Sequence, residues 1–331
     1  MNETKKFNRY SQLELFQPIQ LPETSRLYSL KPIGLEMPFI ESLSSYLLRL
    51  ATEHCVTPKK LIMGEIAPLI MGNQYAPEML SKNASTLFGN SDAKPAINGM
   101  RDMRRSLVDA LEQLTLRQDL RYLSCLTYQG VIKDRSLFRQ NKAWCPECFE
   151  EWQQENKPIY EPLLWSFKDV NYCPNHNCQL SDRCLGCDSL QKAIANHSRL
   201  GYCDRCKKWL GNNLDNELEI AEKERQVITG IGELIATAPI LYSSPTLPDM
   251  IQKLKLIQFS FERSLRQDLT QFIALGKVLE QLKIVISQHS DQPLNLVGLL
   301  IPVCSLAKIS IGQLFGEDVS TLGTMMGINL L

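Results

Sequence analysis

Long apolar runs are the first thing this 331-residue chain lacks. A bilayer-spanning helix needs about 18 or more consecutive apolar residues. The best candidate, Leu294 to Leu306, is shorter and is broken by Asn295, Pro302 and Ser305. No membrane span is expected. Met1 to Tyr10 is polar and lysine-bearing, with no apolar stretch behind it, so no secretory signal is read there and the cytoplasm is the expected compartment. Net charge is missing too: 36 Lys and Arg offset 36 Asp and Glu. That balance argues against a chain that coats nucleic acid non-specifically and leaves only local patches for such contacts. Histidine is scarce, at four residues, and the familiar catalytic spacings are absent. There is no His-Glu-x-x-His and no Gly-x-x-x-x-Gly-Lys. A zinc deaminase needs His-x-Glu ahead of its cysteine pair, whereas His54 is followed by Cys55 and Val56. No general acid, base or nucleophile stands out, and the chain reads as a non-enzyme.

Cysteine, by contrast, is abundant and clustered. Of eleven cysteines, eight fall between Cys145 and Cys206. In a reducing compartment, pairs spaced Cys-x-x-Cys read as metal ligands rather than disulfides. The first set is Cys145, Cys148, Cys173 and His176; the second is Cys184, Cys187, Cys203 and Cys206. Each short spacing puts two donors on a tight knuckle, and two knuckles complete a tetrahedron. Thiolate and imidazole donors in that geometry suit Zn2+, at ~2.3 Å from sulfur. Two Zn2+ sites closed by protein ligands are therefore expected, both structural. Cys178, two residues after His176, is an alternative fourth ligand for the first set, and His197 reads as a surface residue. An iron–sulfur cluster is a further chemistry for such cysteines, disfavoured by the histidine and the paired spacing. Cys55, Cys125 and Cys304 stand apart and read as free thiols. Basic residues surround the second set. Arg183, Arg199, Arg205, Lys207 and Lys208 are candidate phosphate contacts, and equally a solvated surface for a small domain.

The expected fold class is mainly α. Residues 1–24 read as a flexible tail, 25–140 as a helical N-terminal domain opening with a helix-turn-helix-like unit, 141–212 as a tandem zinc-finger or ribbon domain, and 213–331 as an all-helical C-terminal domain. Leu43, Tyr46, Leu47 and Leu50 recur at helical spacing behind Ser42, a plausible N-cap. Thr57-Pro58 then supplies the cap and first-turn proline of a second helix, with Leu61 and Ile62 on its buried face. Residues 71–99 read as a loop with one short helix, and a further helix from about Gly99 carries Leu107, Leu111 and Leu114. Beyond Asp215, three faces follow: Ile220, Val227, Ile231 and Leu234; Leu254, Ile257, Phe261 and Leu265; Phe272, Leu275, Leu279, Leu282 and Ile286. An internal echo runs between the ends. Leu43, Leu47, Leu50, Val56-Thr57 and Leu61 have counterparts, at one constant spacing, in Leu296, Leu300, Val303, Ile309-Ser310 and Leu314. Either two helix-turn-helix units occur, or two amphipathic pairs share a pattern by chance.

The run from Met37 to Ala51, with Pro38 and then Glu41-Ser-Leu-Ser-Ser-Tyr-Leu-Leu-Arg-Leu-Ala51, resembles the opening motif of the TniQ family. Trp144-Cys-Pro-Glu-Cys148, Tyr160, Leu164-Trp165 and Cys173-Pro-Asn-His176, followed by Leu180, Cys184 and Cys187, are similar to the zinc-binding part of that family and of its longer relative TnsD. The resemblance covers roughly residues 30–210. It implies a non-catalytic part in target selection for Tn7-like transposition in a prokaryote. Such proteins hand a chosen target to TnsC, an AAA+ ATPase that recruits the transposase. Some dock on an RNA-guided CRISPR effector of the Cascade type, with its guide RNA, and so reach target DNA indirectly. TnsD-like members instead read a fixed DNA site themselves. The resemblance also implies that the N-terminal unit meets TnsC, with Arg49, Lys59 and Lys60 as exposed candidates off the apolar stripe.

From Leu269 onward only Lys277, Lys283 and Lys308 are basic, and Ser310 to Phe315 offers one glutamine and no arginine. A DNA reader needs more positive charge than that. The CRISPR-associated adaptor is therefore favoured over the TnsD-like reader. A zinc-ribbon transcription regulator unrelated to transposition accounts for the metal sets and helix pairs, but not for the motif from Glu41 to Ala51.

Overall fold

The computed structural model describes residues 24–71, 97–100, 102–213, 218–265, 272–288 and 292–326. Among them the chain is helical, with isolated β-bridges in place of a sheet, and no helix is long and apolar enough to cross a membrane. The tail, up to residue 23, and most of the loop read over 71–99 lie outside the described residues, as do the side chains of Leu265, Phe272 and Leu275.

Helix α1 (Leu43–Glu53) starts where the Ser42 hydroxyl accepts from the Ser45 N–H at 3.2 Å. Leu43, Tyr46, Leu47 and Leu50 are fully buried. The helix closes as Cys55 turns left-handed, at φ 55°, and the Val56 N–H reaches back to the Ala51 carbonyl at 3.0 Å. Thr57 then caps α2 (Pro58–Leu61), accepting from the Lys60 N–H at 3.3 Å. This helix runs on through a π-helical turn (Ile62–Ile66) into α3 (Ala67–Met71), and α4 (Asp102–Thr115) packs against both.

Glu41, just ahead of α1, is fully buried yet ionic. Ser45 and Arg49 lie one and two turns further along the same face. The Ser45 hydroxyl donates to Glu41 at 3.0 Å, and Arg49 donates from Nη2 at 2.7 Å and from Nε at 3.1 Å. Arg49 also donates to the Lys31 carbonyl at 2.8 Å, and its side chain is only 18% exposed. It is thus a structural cation, not the free surface contact that its place off the apolar stripe suggests. Lys59 and Lys60 are exposed, as expected.

The stretch Tyr160–Leu163 closes onto this corner. The Ser42 N–H donates to the Glu161 carbonyl at 2.9 Å, the Leu163 N–H to Ile40 at 2.8 Å, and the Glu161 N–H to the Ser45 hydroxyl at 3.0 Å. The Glu161 carboxylate pairs with Lys142 at 2.8 Å, both buried. Asn98 links Ser44 to the Ser166 hydroxyl. One hydrophobic cluster runs through all three sequence segments. The boundaries read near 140 and 212 mark changes of pattern within a shared core.

C-terminal to the two cysteine sets come α6 (Glu222–Thr237), α7 (Leu247–Leu265) and α8 (Phe272–Gln288). A π-helical turn (Leu296–Leu300) then leads into α9 (Ile301–Ala307), α10 (Ile311–Gly316) and α11 (Val319–Met325). Leu294 pairs with the N-terminal half, donating to the Val131 carbonyl at 2.7 Å and accepting from the Lys133 N–H at 2.8 Å. The internal echo extends to the caps. Asn295 accepts from the Gly298 N–H at 2.9 Å, as Ser42 does from Ser45. Lys308 is left-handed like Cys55, and the Ile309 N–H closes on Cys304 as Val56 does on Ala51. Ser310 caps α10 as Thr57 caps α2. Leu296, Leu300, Val303 and Leu314 are buried at the positions of Leu43, Leu47, Leu50 and Leu61. The two helix pairs share one plan of caps and core.

Their surroundings differ. The first N–H of α10, from Ile311, donates to Glu233 of α6 at 2.9 Å, and its last carbonyls, Leu314 and Phe315, accept from buried Lys253 of α7 at 2.9 and 3.4 Å. Burial holds the Lys253 ammonium below its ordinary pKa. Tyr128 meets Phe315 edge-on at 4.9 Å and donates to the Leu234 carbonyl at 2.6 Å. Gly230 lets α6 come close, since a Cβ there would lie 3.0 Å from Ile301.

Replacing Arg49 by Ala strands Glu41 without its counter-charge, and removing one partner of a buried pair costs about 3–5 kcal/mol. A urea-unfolding midpoint at neutral pH should fall accordingly. Burial raises the Glu41 pKa and Arg49 opposes that rise. Without Arg49 the folded-state value climbs further above the unfolded one. The stability deficit then grows as pH rises through the unfolded value and shrinks in acid. A deficit of equal size at pH ~4 and pH ~7 would remove the Glu41 charge from this account.

Candidate metal centres

The donors are placed by two kinds of local structure. Cys145 is the N-cap of α5 (Pro146–Gln154), its Sγ accepting from the Cys148 N–H at 3.3 Å. The other three pairs sit on hairpins of one design. The N–H groups of Cys173, Cys184 and Cys203 donate to the carbonyls five residues on, of Cys178 (2.8 Å), Ser189 (3.1 Å) and Lys208 (2.9 Å). Their own carbonyls accept from the N–H groups of Asn177, Asp188 and Lys207, each left-handed, at φ 50°, 54° and 61°. The bridges Tyr172–Gln179, Arg183–Leu190 and Tyr202–Trp209 close the hairpins. Four alike knuckles are expected from the spacing; the molecule has three, plus one helix start. After Cys148 the chain continues with Phe149 and Trp152 buried at helical spacing, which carries the first pair into a helix.

In the first cluster, ligand atoms of Cys145, Cys148, Cys173 and His176 all lie within 4.8 Å of one another. His176 Nδ1 is 3.2 Å from the Cys148 sulfur, 3.6 Å from Cys145 and 3.7 Å from Cys173. On the far side of the ring, Nε2 is 3.2 Å from Glu151, which stands one turn beyond Cys148 on α5. A proton shared with that carboxylate sits on Nε2 and leaves the Nδ1 lone pair facing the sulfurs, the tautomer that ligation needs. Neighbouring Cys145 and Cys148 thiols donate to Cys173 and hold its pKa down to about 2, while their own are pushed up. Cys178 lies outside the mutual set, although its sulfur is 3.4 Å from Cys145.

The second cluster joins Cys184, Cys187, Cys203 and Cys206 within the same 4.8 Å limit. Cys184 lies 3.6 Å from Cys206, and Cys187 3.6 Å from Cys203. Burial raises the Cys203 pKa, but N–H donors from Cys206 and Arg205 and the Ser189 hydroxyl outweigh it and bring the thiol to about 5. Gln191, fully buried, pins two hairpins together. Its Nε2 donates to the Cys203 sulfur at 3.4 Å and the Ser189 carbonyl at 2.8 Å, and its Oε1 accepts from the Asp204 N–H at 2.8 Å. Trp209 joins the clusters, packing on Phe149 at 6.0 Å and donating to Glu150 of α5 at 2.9 Å. With four soft donors in each set, both clusters can hold one metal ion without help from water.

Sequence reasoning did not single out Glu151 or Gln191. Glu151 could have been found from its place three residues after Cys148 on a helix; Gln191 carried no local signal. Arg183, Arg199, Arg205, Lys207 and Lys208 are all exposed around the second cluster. Arg183 donates to the Asp188 carbonyl at 3.0 Å, Lys207 to the Asp204 carbonyl at 2.7 Å, and Arg199 lies 4.4 Å over the Tyr202 ring. Cys125 and Cys304 are buried thiols with raised pKa values, and Cys55 is exposed.

Residues 32–180 match the family model described as TniQ. The match begins ahead of α1, takes in the buried Glu41 corner and all of the first cluster, and ends before the second. No curated protein matches the chain.

Loss of a carboxylate that orients a ligating histidine typically lowers metal affinity by about 10–100-fold. Glu151→Ala should weaken the first centre by that factor and leave the second unchanged, as read by chelator competition with metal counted per chain. Equal weakening of both centres would contradict the role given to Glu151.

Proposed function

We propose that this chain, a TniQ-family protein by virtue of its domain at residues 32–180, is the adaptor that links a target-bound, Cascade-type RNA-guided effector to the AAA+ ATPase TnsC. The coarser part of this statement rests on the domain alone: TniQ domains belong to transposition-associated proteins of Tn7-like elements, in a family that performs no catalysis. The finer part is carried by one observation, the state of α10. In a DNA-reading helix pair the second helix presents Arg, Asn or Gln side chains to base edges, each good bidentate contact contributing ~1–3 kcal/mol. Here Ile311, Leu314 and Phe315 are buried, and the Gln313 side-chain Oε1 accepts from the Ser310 N–H at 2.7 Å as part of the cap. Glu233 and Lys253 hold the two ends. Such a helix serves packing, which favours an adaptor over a TnsD-like reader. Target DNA is then chosen by guide pairing, and the exposed cations of the second cluster brace phosphates already held by the effector. Lys59 and Lys60, exposed on the N-terminal pair, are the candidate contacts to TnsC.

Zn2+ is the ion assigned to both centres, from three thiolates with one oriented imidazole in one and four thiolates in the other. When bound it would supply a structural cross-link between the donors, each site being filled by four protein ligands. The purified protein should contain two zinc ions per chain by elemental analysis. Replacing Cys184 or Cys203 by Ala should disorder the region around the second centre. Cys125→Ala, at a buried thiol that belongs to neither cluster, should cost only about 1 kcal/mol.

Binding assays on the full chain test the adaptor reading. Alone, it should show at most weak, steeply salt-dependent DNA affinity; nanomolar sequence-specific binding without an effector would establish the reader instead. In pull-downs with TnsC, the double reversal Lys59→Glu/Lys60→Glu should lose binding while both metals are retained. Undiminished capture would move the contact elsewhere.

A further inference from the structure

We propose that the first metal centre carries a reserve ligand: Cys178 takes the fourth position when His176 is displaced, turning a site of three thiolates and an imidazole into one of four thiolates. The inference deepens the metal reading above and depends on it. Three observations carry it.

The first is proximity. Cys178 is buried, and its sulfur lies 3.4 Å from that of Cys145, no further than the 3.6 Å between the ligand pair Cys148 and Cys173. The second is the repeated hairpin. Cys178 occupies the position whose carbonyl accepts the N–H of the leading cysteine, and in the next hairpin that position is Ser189. The Ser189 hydroxyl is turned into the second cluster, 3.1 Å from the Cys187 sulfur and 3.6 Å from Cys203. A side chain at this position can therefore turn toward the sulfurs, as Ser189 does and the exposed Lys208 of the third hairpin does not, and at Cys178 it is itself a competent ligand. The third is the unequal hold on the donors. The Cys145, Cys148 and Cys173 residues are 0% exposed, whereas the His176 side chain is 19% exposed and is held from outside by Glu151, itself 46% exposed. The imidazole is the donor that can leave toward solvent, and a buried thiol stands beside the gap it opens.

The exchange is a ligand substitution without redox change. The nitrogen–metal bond breaks, a sulfur–metal bond forms, the Cys178 thiol proton passes to solvent, and the centre gains one negative charge. In the resting arrangement Cys178 is not within reach of all the other donors, so the imidazole is the ordinary ligand and the thiol the substitute.

The test uses full-length protein loaded with Zn2+ for counting and with Co2+ for absorption, in wild type, His176→Ala, Cys178→Ser and the double variant. The second centre serves as an internal reference. His176→Ala should keep both metals and gain thiolate-to-cobalt absorption, by about a third of the first centre's share as four thiolates replace three. Cys178→Ser should match wild type. The double variant should hold the first metal at least tenfold more weakly than either single variant in chelator competition, a loss on the scale of a missing protein ligand (roughly 10-fold or more). Loss of one metal, or of folding, in His176→Ala alone overturns the inference, as does a double variant no weaker than His176→Ala. Wild type with fewer than two metals would instead sink the metal reading itself, and that result is distinguishable because it needs no variant.

Discussion

Much of this molecule hangs on one residue's hydrogen bonds. Glu161 accepts through its carbonyl from Ser42, donates through its N–H to Ser45, and sends its carboxylate to buried Lys142. Lys142 in turn donates its backbone N–H to the carbonyl of Gln191, at 2.9 Å, and Gln191 reaches the sulfur of Cys203. A continuous polar path thus runs from the start of α1 to the second cysteine cluster through the interior. In a low-dielectric setting such a network is strong when every member is satisfied and costly when one is missing. The Glu161 position therefore couples the helical N-terminal part to the cysteine hairpins more tightly than apolar packing alone would.

What could be read from the sequence, and what could not, follows from the range of each interaction. The caps at Ser42 and Thr57, the helix faces and the two ligand sets were legible because each depends on residues a few positions apart. The echo between the chain ends was legible as spacing, and the cap geometry gives it physical content at Asn295, Lys308 and Ser310. Arg49 was misread because its partner, Glu41, belongs to the loop before the helix rather than to its polar face. Gln191 was invisible because its partners come from two separate hairpins. The first cysteine pair reads as a knuckle because spacing alone does not distinguish a hairpin from a helix start; the apolar residues after Cys148 do.

The two capped helix pairs show how one local plan can be set to different uses by its surroundings. The N-terminal pair leaves Lys59 and Lys60 in solvent on the first turn of α2. The C-terminal pair has its second helix gripped at both ends by Glu233 and Lys253 and backed by Tyr128. A shared plan of caps therefore says little about what a pair contacts, and the decisive information lies in the neighbouring helices.

The long reach of the Glu161 contacts has a consequence for how the chain is made. The hydroxyl of Ser45 and the N–H of Glu161 are separated by 116 residues. At a synthesis rate of about 5–20 residues per second, roughly 6–23 s pass between the emergence of the first partner and the second. During that interval α1 can form, since its caps and the Glu41–Arg49 pair are local, but its leading edge has no partner. The cysteine hairpins, by contrast, are closed by hydrogen bonds between residues five positions apart. The start of α1, though made early, gains these polar partners only once Glu161 has been made.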